Sequence, residues 1–312
     1  MPPDAVPALS MRDQRADPSA FALAMGESYA RFGFAIVRDH GLDPRMIANA
    51  LDATKRFFAL PDEVKRRYHI AGGAGQRGYV PFGIEAAKGA AAADLKEFWH
   101  VGRELPGGHR FAAYMPPNVW PEEIASFRRD VYGLYKALDA LGLELLRSIA
   151  LFLGLNENFF RDPVREGNSV LRLLHYPPTP PHPAGVRAEA HEDINVITLL
   201  LGAEEAGLQL LTREGRWLDV NPPEGALVVN IGDMLQRLTN HVLPSTTHRV
   251  VNPARERAHL ARYSIPFFLH FAPDYLIETL PSCITPDNPN RYPSPITAQE
   301  FLYERLREIR LA

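Results

Sequence analysis

From Ser169 onward the chain breaks into short β-branched and apolar runs, and that texture restricts the folds open to it. The runs fall at 169–176, 191–200, 208–212, 216–220, 226–231, 246–251 and 262–270, parted by Pro, Gly and Asn. Strands this short and this regularly interrupted suit a sandwich or closed barrel, not a parallel sheet with crossover helices. Ahead of Ser169 the periodicity is mostly helical. It predicts helices over 21–32, 44–58 and 121–153 around a short strand at 34–37, and a closing amphipathic helix over 298–311. In the longest of these, Ile124, Phe127, Val131, Leu134, Leu138, Leu141 and Leu145 fall near the helical repeat. No internal repeat is visible.

The strand-rich half carries the chemistry. His191 and Asp193 are two residues apart, so on a strand they project from one face, and His248 must come from a second strand. Two imidazoles and one carboxylate suit iron(II), which accepts nitrogen and oxygen ligands, and a facial set of three leaves coordination positions open. Beyond them Arg262 and Ser264, again two apart, open an apolar run. A guanidinium fork beside a hydroxyl is a receptor for a carboxylate.

The order H-x-D, His, R-x-S resembles the isopenicillin-N-synthase-like branch of the 2-oxoglutarate- and iron(II)-dependent dioxygenases. So do Gly33-Phe34 with His40-Gly41, the run Phe57–Pro61, Arg77-Gly78-Tyr79-Val80-Pro81, the run 169–178, Gly207-Leu208-Gln209 and Asn230–Asp233. The resemblance spans roughly residues 20–272. It implies a distorted double-stranded β-helix, or jelly roll, flanked by helices. Residues 1–120 would form an N-terminal segment and 121–312 a long helix with the catalytic core, folding as one cooperative unit.

The resemblance also implies roles. His191, Asp193 and His248 would hold iron(II). Arg262, Ser264 and Tyr176 would take the far carboxylate of 2-oxoglutarate, with dioxygen as the other co-substrate. Gln76, Arg77, Tyr79, Phe98, Trp99, Phe268 and His270 would line the substrate pocket, His270 sharing the two-residue phase of Arg262, Ser264 and Phe268. Two departures stand out: Leu174 replaces an asparagine common in plant members, and residues 252–259 lengthen the hairpin between His248 and Arg262 without changing its strand phase. The implied activity couples oxidative decarboxylation of 2-oxoglutarate, to succinate and carbon dioxide, to hydroxylation, desaturation or ring closure of a small molecule. An oxidase of the same fold that does without 2-oxoglutarate, and a non-catalytic binding or sensor protein, remain as alternatives.

Composition narrows the partners. A net charge of −3 without a basic stripe disfavours nucleic acid. The longest apolar stretch, 141–155, is broken by Glu144 and Arg147 and is too short for a bilayer. A single cysteine, Cys283, and a charged, proline-dotted start fit a cytoplasmic protein, a monomer or weak homo-oligomer. Gly73–Gly78 matches the dinucleotide pattern G-x-G-x-x-G, but no strand precedes it and Tyr79-Val80-Pro81 cannot start the required helix.

Overall fold

The computed structural model describes residues 5–73, 75–85, 93–179, 183, 185–201 and 207–308. Two Asp-Pro pairs start the first long helices. Asp17 accepts a hydrogen bond from the Ala20 N–H and Pro18 follows at the first helical position; Asp43 and Pro44 repeat the device. After the short α1 (Met11–Ala16), these helices are α2 (Pro18–Phe32) and α3 (Pro44–Phe58), with α4 (Asp62–Arg66) behind. Gly33, at φ 67°, ends α2 in the left-handed conformation and turns the chain into a strand.

The strands in chain order are β1 (Ala8–Ser10), β2 (Phe34–Arg38), β3 (Gly78–Val80), β4 (Glu97–Gly102), β5 (Val170–Tyr176), β6 (Ala188–His191), β7 (Ile197–Leu201), β8 (Leu208–Leu211), β9 (Trp217–Asp219), β10 (Leu227–Ile231), β11 (His248–Val250) and β12 (Arg262–Leu269). The remaining longer helices are α5 (Phe127–Phe152), α6 (Arg161–Arg165), α7 (Asp233–Leu238) and α8 (Ala298–Glu308). Eight strands form the major sheet, in the order β1-β2-β10-β7-β12-β5-β4-β3, and four form the minor one, β6-β11-β8-β9. This is the double-stranded β-helix core with flanking helices that the resemblance implied.

Side chains alternate across the major sheet. Val37, Trp99, Val101, Leu171, Leu173, Ile197, Leu199, Leu227, Val229, Phe267 and Leu269 belong to one buried cluster with the apolar stripe of α5. α5 packs on α2 and α3 and lies under β7 and β12. The opposite face looks toward the minor sheet and is far more polar. It carries His100, Arg172, Tyr176, Thr198, Asn230, Arg262 and Ser264, all register-linked on neighbouring strands.

Two expectations differ in detail, and part of a third lies outside the described residues. The long helix begins at Phe127, because Pro121 to Ser126 close as turns, with Phe127 N–H donating to the Ile124 carbonyl. The run 191–200 is two strands, not one: β6 stops at His191 and β7 starts at Ile197. Asn195 breaks it, its side-chain amide donating to the Ile197 carbonyl within its own turn. The closing helix is described to Glu308; 309–311 lie outside the described residues, as does Ala74 of the glycine-rich stretch. The rest of that stretch leads into β3, with no helix following.

Candidate active site

His191 and His248 are direct register partners across β6 and β11. Their rings stand 4.4 Å apart, centroid to centroid. The chain bends after His191 and brings Asp193 to the same point, its Oδ1 3.8 Å from the Nε2 of each histidine. One ligand atom from each of the three residues fits within 4.8 Å of the others. At 3.8 Å these atoms are too far apart to hydrogen-bond, yet close enough for one ion to reach all with bonds of about 2.0–2.2 Å.

The surroundings fix which atoms are available. His191 Nδ1 pairs with the Glu189 carbonyl at 2.6 Å and His248 Nδ1 with the Thr246 carbonyl at 3.1 Å. A carbonyl only accepts, so each Nδ1 carries its proton and each Nε2 presents a lone pair. Asp193 Oδ2 accepts from Thr198 Oγ1 at 2.5 Å and from Asn230 Nδ2 at 2.8 Å, donors that are themselves register partners on β7 and β10. Its Oδ1 is thereby left for a metal. Burial, with His248 adding to it, pushes His191 down to about 4, so it is neutral at physiological pH. For Asp193 burial acts upward, but the two histidines, Asn230 and Thr198 outweigh it and hold the carboxyl below its usual range. Two imidazoles that turn Nε2 to one point and an ionised carboxylate are the donor set that iron(II) needs. The residues present fit the metal.

Inward-facing side chains of β5 and β12 form a ladder of rungs. Arg262 opposes Tyr176, and Ser264 opposes Leu174. Arg262 Nη1 donates to Ser264 Oγ at 3.2 Å and its guanidinium lies 5.1 Å from the Tyr176 ring centroid. All three side chains are buried. Farther along, Phe268 opposes Val170, and these two border a cavity of about 450 Å³ that also meets His191 and Asp193.

The chain matches two family models: residues 6–123 match "non-haem dioxygenase in morphine synthesis N-terminal", and 167–271 match the 2OG-Fe(II) oxygenase superfamily. A 2-oxoglutarate-Fe(II) type oxidoreductase of Aspergillus fumigatus is 36% identical over 286 residues, 88% of this chain and 83% of that one. This chain belongs to the 2-oxoglutarate- and iron(II)-dependent oxygenases. A solved 2OG-Fe(II) oxygenase family protein from Caulobacter crescentus has a TM-score of 0.92 at 57% identity, covering 98% of this chain and 99% of that one. A full-length Neurospora crassa protein solved in complex with alpha-KG gives 0.87 at 29% identity, covering 98% and 97%. Oxygenases of this family use iron(II), 2-oxoglutarate and dioxygen to oxidise a substrate.

Within this oxygenase the predicted pocket residues divide by strand phase. Gln76, Phe268 and His270 line the cavity, and Phe98 supports its wall, its ring 4.1 Å from the Arg172 guanidinium carbon. Tyr79 and Trp99 do not line it. They sit on the helix side, both packed edge-on against Phe57, with Tyr79 donating to Glu97. Arg77 is also turned away: it is buried beneath Gly102 and donates to the Pro116 carbonyl at 3.1 Å. Any side chain at position 102 would run into that guanidinium. Reading Arg77 as a substrate contact is corrected on this ground. His40, His109 and His241 lie outside the cavity wall and contact Gly225, Glu166 and Tyr292.

Sequence reasoning missed most of the polar cavity wall. Arg172 grips Glu85 with both terminal nitrogens at 3.0 and 3.1 Å and donates through Nε to His100 at 2.6 Å. Lys96 contacts Glu85 and Asp94, each at 2.7 Å. Burial opposes ionisation of Glu85 and Lys96, but the opposite charges prevail: Glu85 stays well below and Lys96 well above its ordinary value. His100 is held neutral by burial and by the adjacent Arg172. The available signal was alternation: Asp94, Lys96, Phe98 and His100 share one phase, and Glu97, Trp99 and Val101 the other.

Proposed function

We propose that His191, Asp193 and His248 hold the iron, and that Arg262, Ser264 and Tyr176 hold the far carboxylate of 2-oxoglutarate. Two free imidazole lone pairs and one free carboxylate oxygen converging at one point carry this reading. Bound there, iron(II) supplies the redox chemistry with dioxygen. The protein's part is to bind, orient and exclude water. Thr198 and Asn230 fix the Asp193 carboxylate so that only one oxygen is offered. Arg262, held against Ser264, presents a preset fork, and burial strengthens its pull on an anion.

The substrate enters the cavity walled by Phe268, His270 and the Arg172 network. Leu302, Arg305 and Leu306 of α8 form another part of its wall, so this helix helps keep the site dry. The substrate is a small molecule; one complex of the Neurospora crassa protein holds thymine together with alpha-KG. Hydroxylation, desaturation and ring closure are the outcomes open to this chemistry. Among the described residues no helix is long and apolar enough to cross a membrane. A cytoplasmic protein, monomeric or weakly self-associating, is in keeping with the single buried Cys283. The test is succinate formed from 2-oxoglutarate with iron(II) and ascorbate, across a panel of small molecules. Substrate-dependent oxidation without succinate would instead favour an oxidase that does without 2-oxoglutarate.

A further inference from the structure

Phe268 and Val170 are the last rung of the β5–β12 ladder, and two residues beyond it on either side, at the same register, stand Asn168 and His270. Backbone contacts set that pair firmly. Asn168 N–H donates to the Phe271 carbonyl at 3.3 Å, and His270 N–H to Ser169 Oγ at 3.1 Å. Both residues line the cavity, at 4% and 7% exposure. Asn168 Oδ1 and His270 Nδ1 nonetheless have no hydrogen-bond partner among the described residues. Buried polar atoms left so are costly, and where they border an open cavity a bound molecule can satisfy them.

Charge in the cavity excludes one class of ligand. Its two buried cations are already engaged: Lys96 with Glu85 and Asp94, and Arg172 with Glu85. A carboxylate or phosphate would have to break one of these pairs to be received. Shape adds a second restriction. Arg172 lies 4.1 Å from the Phe98 ring centroid and 5.3 Å from that of Phe268, and this stack backs a flat aromatic wall on the cavity. A carboxamide offers an acceptor and a donor side by side in one plane, and its match is a donor and acceptor equally placed.

We infer that this cavity takes an uncharged, planar molecule with a lactam edge, an N–H beside a C=O, read by Asn168 and His270 while its ring lies on Phe268. The inference rests on the oxygenase reading of the metal and 2-oxoglutarate sites and names the substrate class for it. Asn168 and His270 are then specificity-determining residues, and the Arg172 network is the rigid support behind Phe268.

Calorimetry on anaerobic protein loaded with iron(II) and 2-oxoglutarate tests this. The probes are 2-pyridone and 2-quinolone as lactams of two sizes, N-methyl-2-pyridone with the donor blocked, and benzoate as a planar anion. A lactam is expected to bind, with N-methylation weakening 2-pyridone about tenfold or more and benzoate weaker still. Asn168→Leu should lose about tenfold in lactam affinity and leave 2-oxoglutarate affinity unchanged. Asn168→Asp, which keeps the shape, should lose as much, and guards against misfolding of the leucine variant. Failure of both lactams, indifference to N-methylation, or benzoate binding as well as 2-pyridone would overturn the inference. Failure of 2-oxoglutarate itself to bind the iron(II) protein would strike the oxygenase-site reading instead.

Discussion

The two faces of the major sheet differ more than any two separate parts of the molecule, although they alternate along the same strands. On β4, Trp99 and Val101 vanish into the helix-side core, while Phe98 and His100 point toward the cavity. Each face also buries ionic groups. The helix side has Glu97, held by Lys65 at 2.9 Å and His175 at 2.7 Å; the cavity side has Glu85 with Arg172 and Lys96. Embedded charge is therefore no marker of function by itself. What separates the faces is space: Trp99 Nε1 and Tyr29 Oη lack partners among the described residues on the helix side too, but only on the other face do such atoms border an open cavity.

The harshest test removes most of the helix side. We propose that the protein folds as one cooperative unit, because β1 to β4 from the N-terminal segment supply half of the eight-stranded sheet. Residues 160–272 alone should show no cooperative unfolding and no tight iron binding; a stable, iron-binding fragment would refute this. Next comes a cavity-side change that should remove function and spare the fold. His191→Ala and Asp193→Ala are each expected to abolish turnover and strip iron, measured as metal content alongside circular dichroism. Wild-type turnover in either variant would end the metal assignment.

Trp99→Ala should do the reverse. Emptying so large a buried site costs about 3–5 kcal/mol of stability, while 2-oxoglutarate affinity at low temperature should hold. Denaturant unfolding beside ligand titration separates the two effects. Arg262→Leu should keep iron and lose about 2–5 kcal/mol of 2-oxoglutarate binding, roughly 30-fold or more. Ser264→Ala should lose less, about 1.5–3 kcal/mol for one bond to a charged group. The metal-to-ligand absorption band of the anaerobic complex reads both, and unchanged affinity in Arg262→Leu would remove the anchor.

The mildest effect is one of pH. For Glu97 burial acts upward, but His175, Tyr79 and Lys65 outweigh it and hold the carboxyl below its ordinary value of 4.5. A carboxyl lowered by folding adds stability above its unfolded pKa, and that part is lost as pH falls through the folded value. Glu97→Gln should thus cost more at about pH 7 than at about pH 3.5, by paired denaturant curves. An equal cost at both would mean the charge of Glu97 contributes nothing.

Much of this could be read in advance from periodicity. The long helices and most core strands follow from apolar spacing, and Arg262, Ser264, Phe268 and His270 share a face because strands alternate. The residues proposed to hold the metal were legible as types and order. The bend between His191 and Asp193 was not, because it depends on Asn195 folding back on its own backbone and on the close approach of Gly232. β4 was missed because both its faces are buried: Phe98 interrupts the polar phase of Asp94, Lys96 and His100, and Glu97 puts a charge on the other face, so the alternation is blurred. Arg77 misled because an arginine in a glycine-rich loop beside the pocket strands reads as a substrate contact; only the bare backbone of Gly102 makes room for it inside.

The pairing of β2 with β10 has a consequence for how the polypeptide is made. Phe34 to Val37 lie against Leu227 to Asn230, about 190 residues later in the chain. At roughly 5–20 residues per second of ribosomal synthesis, that partner emerges about 10–40 s after β2 does. Through that interval an apolar strand has one hydrogen-bonding edge open, the condition under which nascent chains stick to one another. Yield in a cell should accordingly depend on the supply of chaperones that shield early strands, more than on the stability of the finished enzyme.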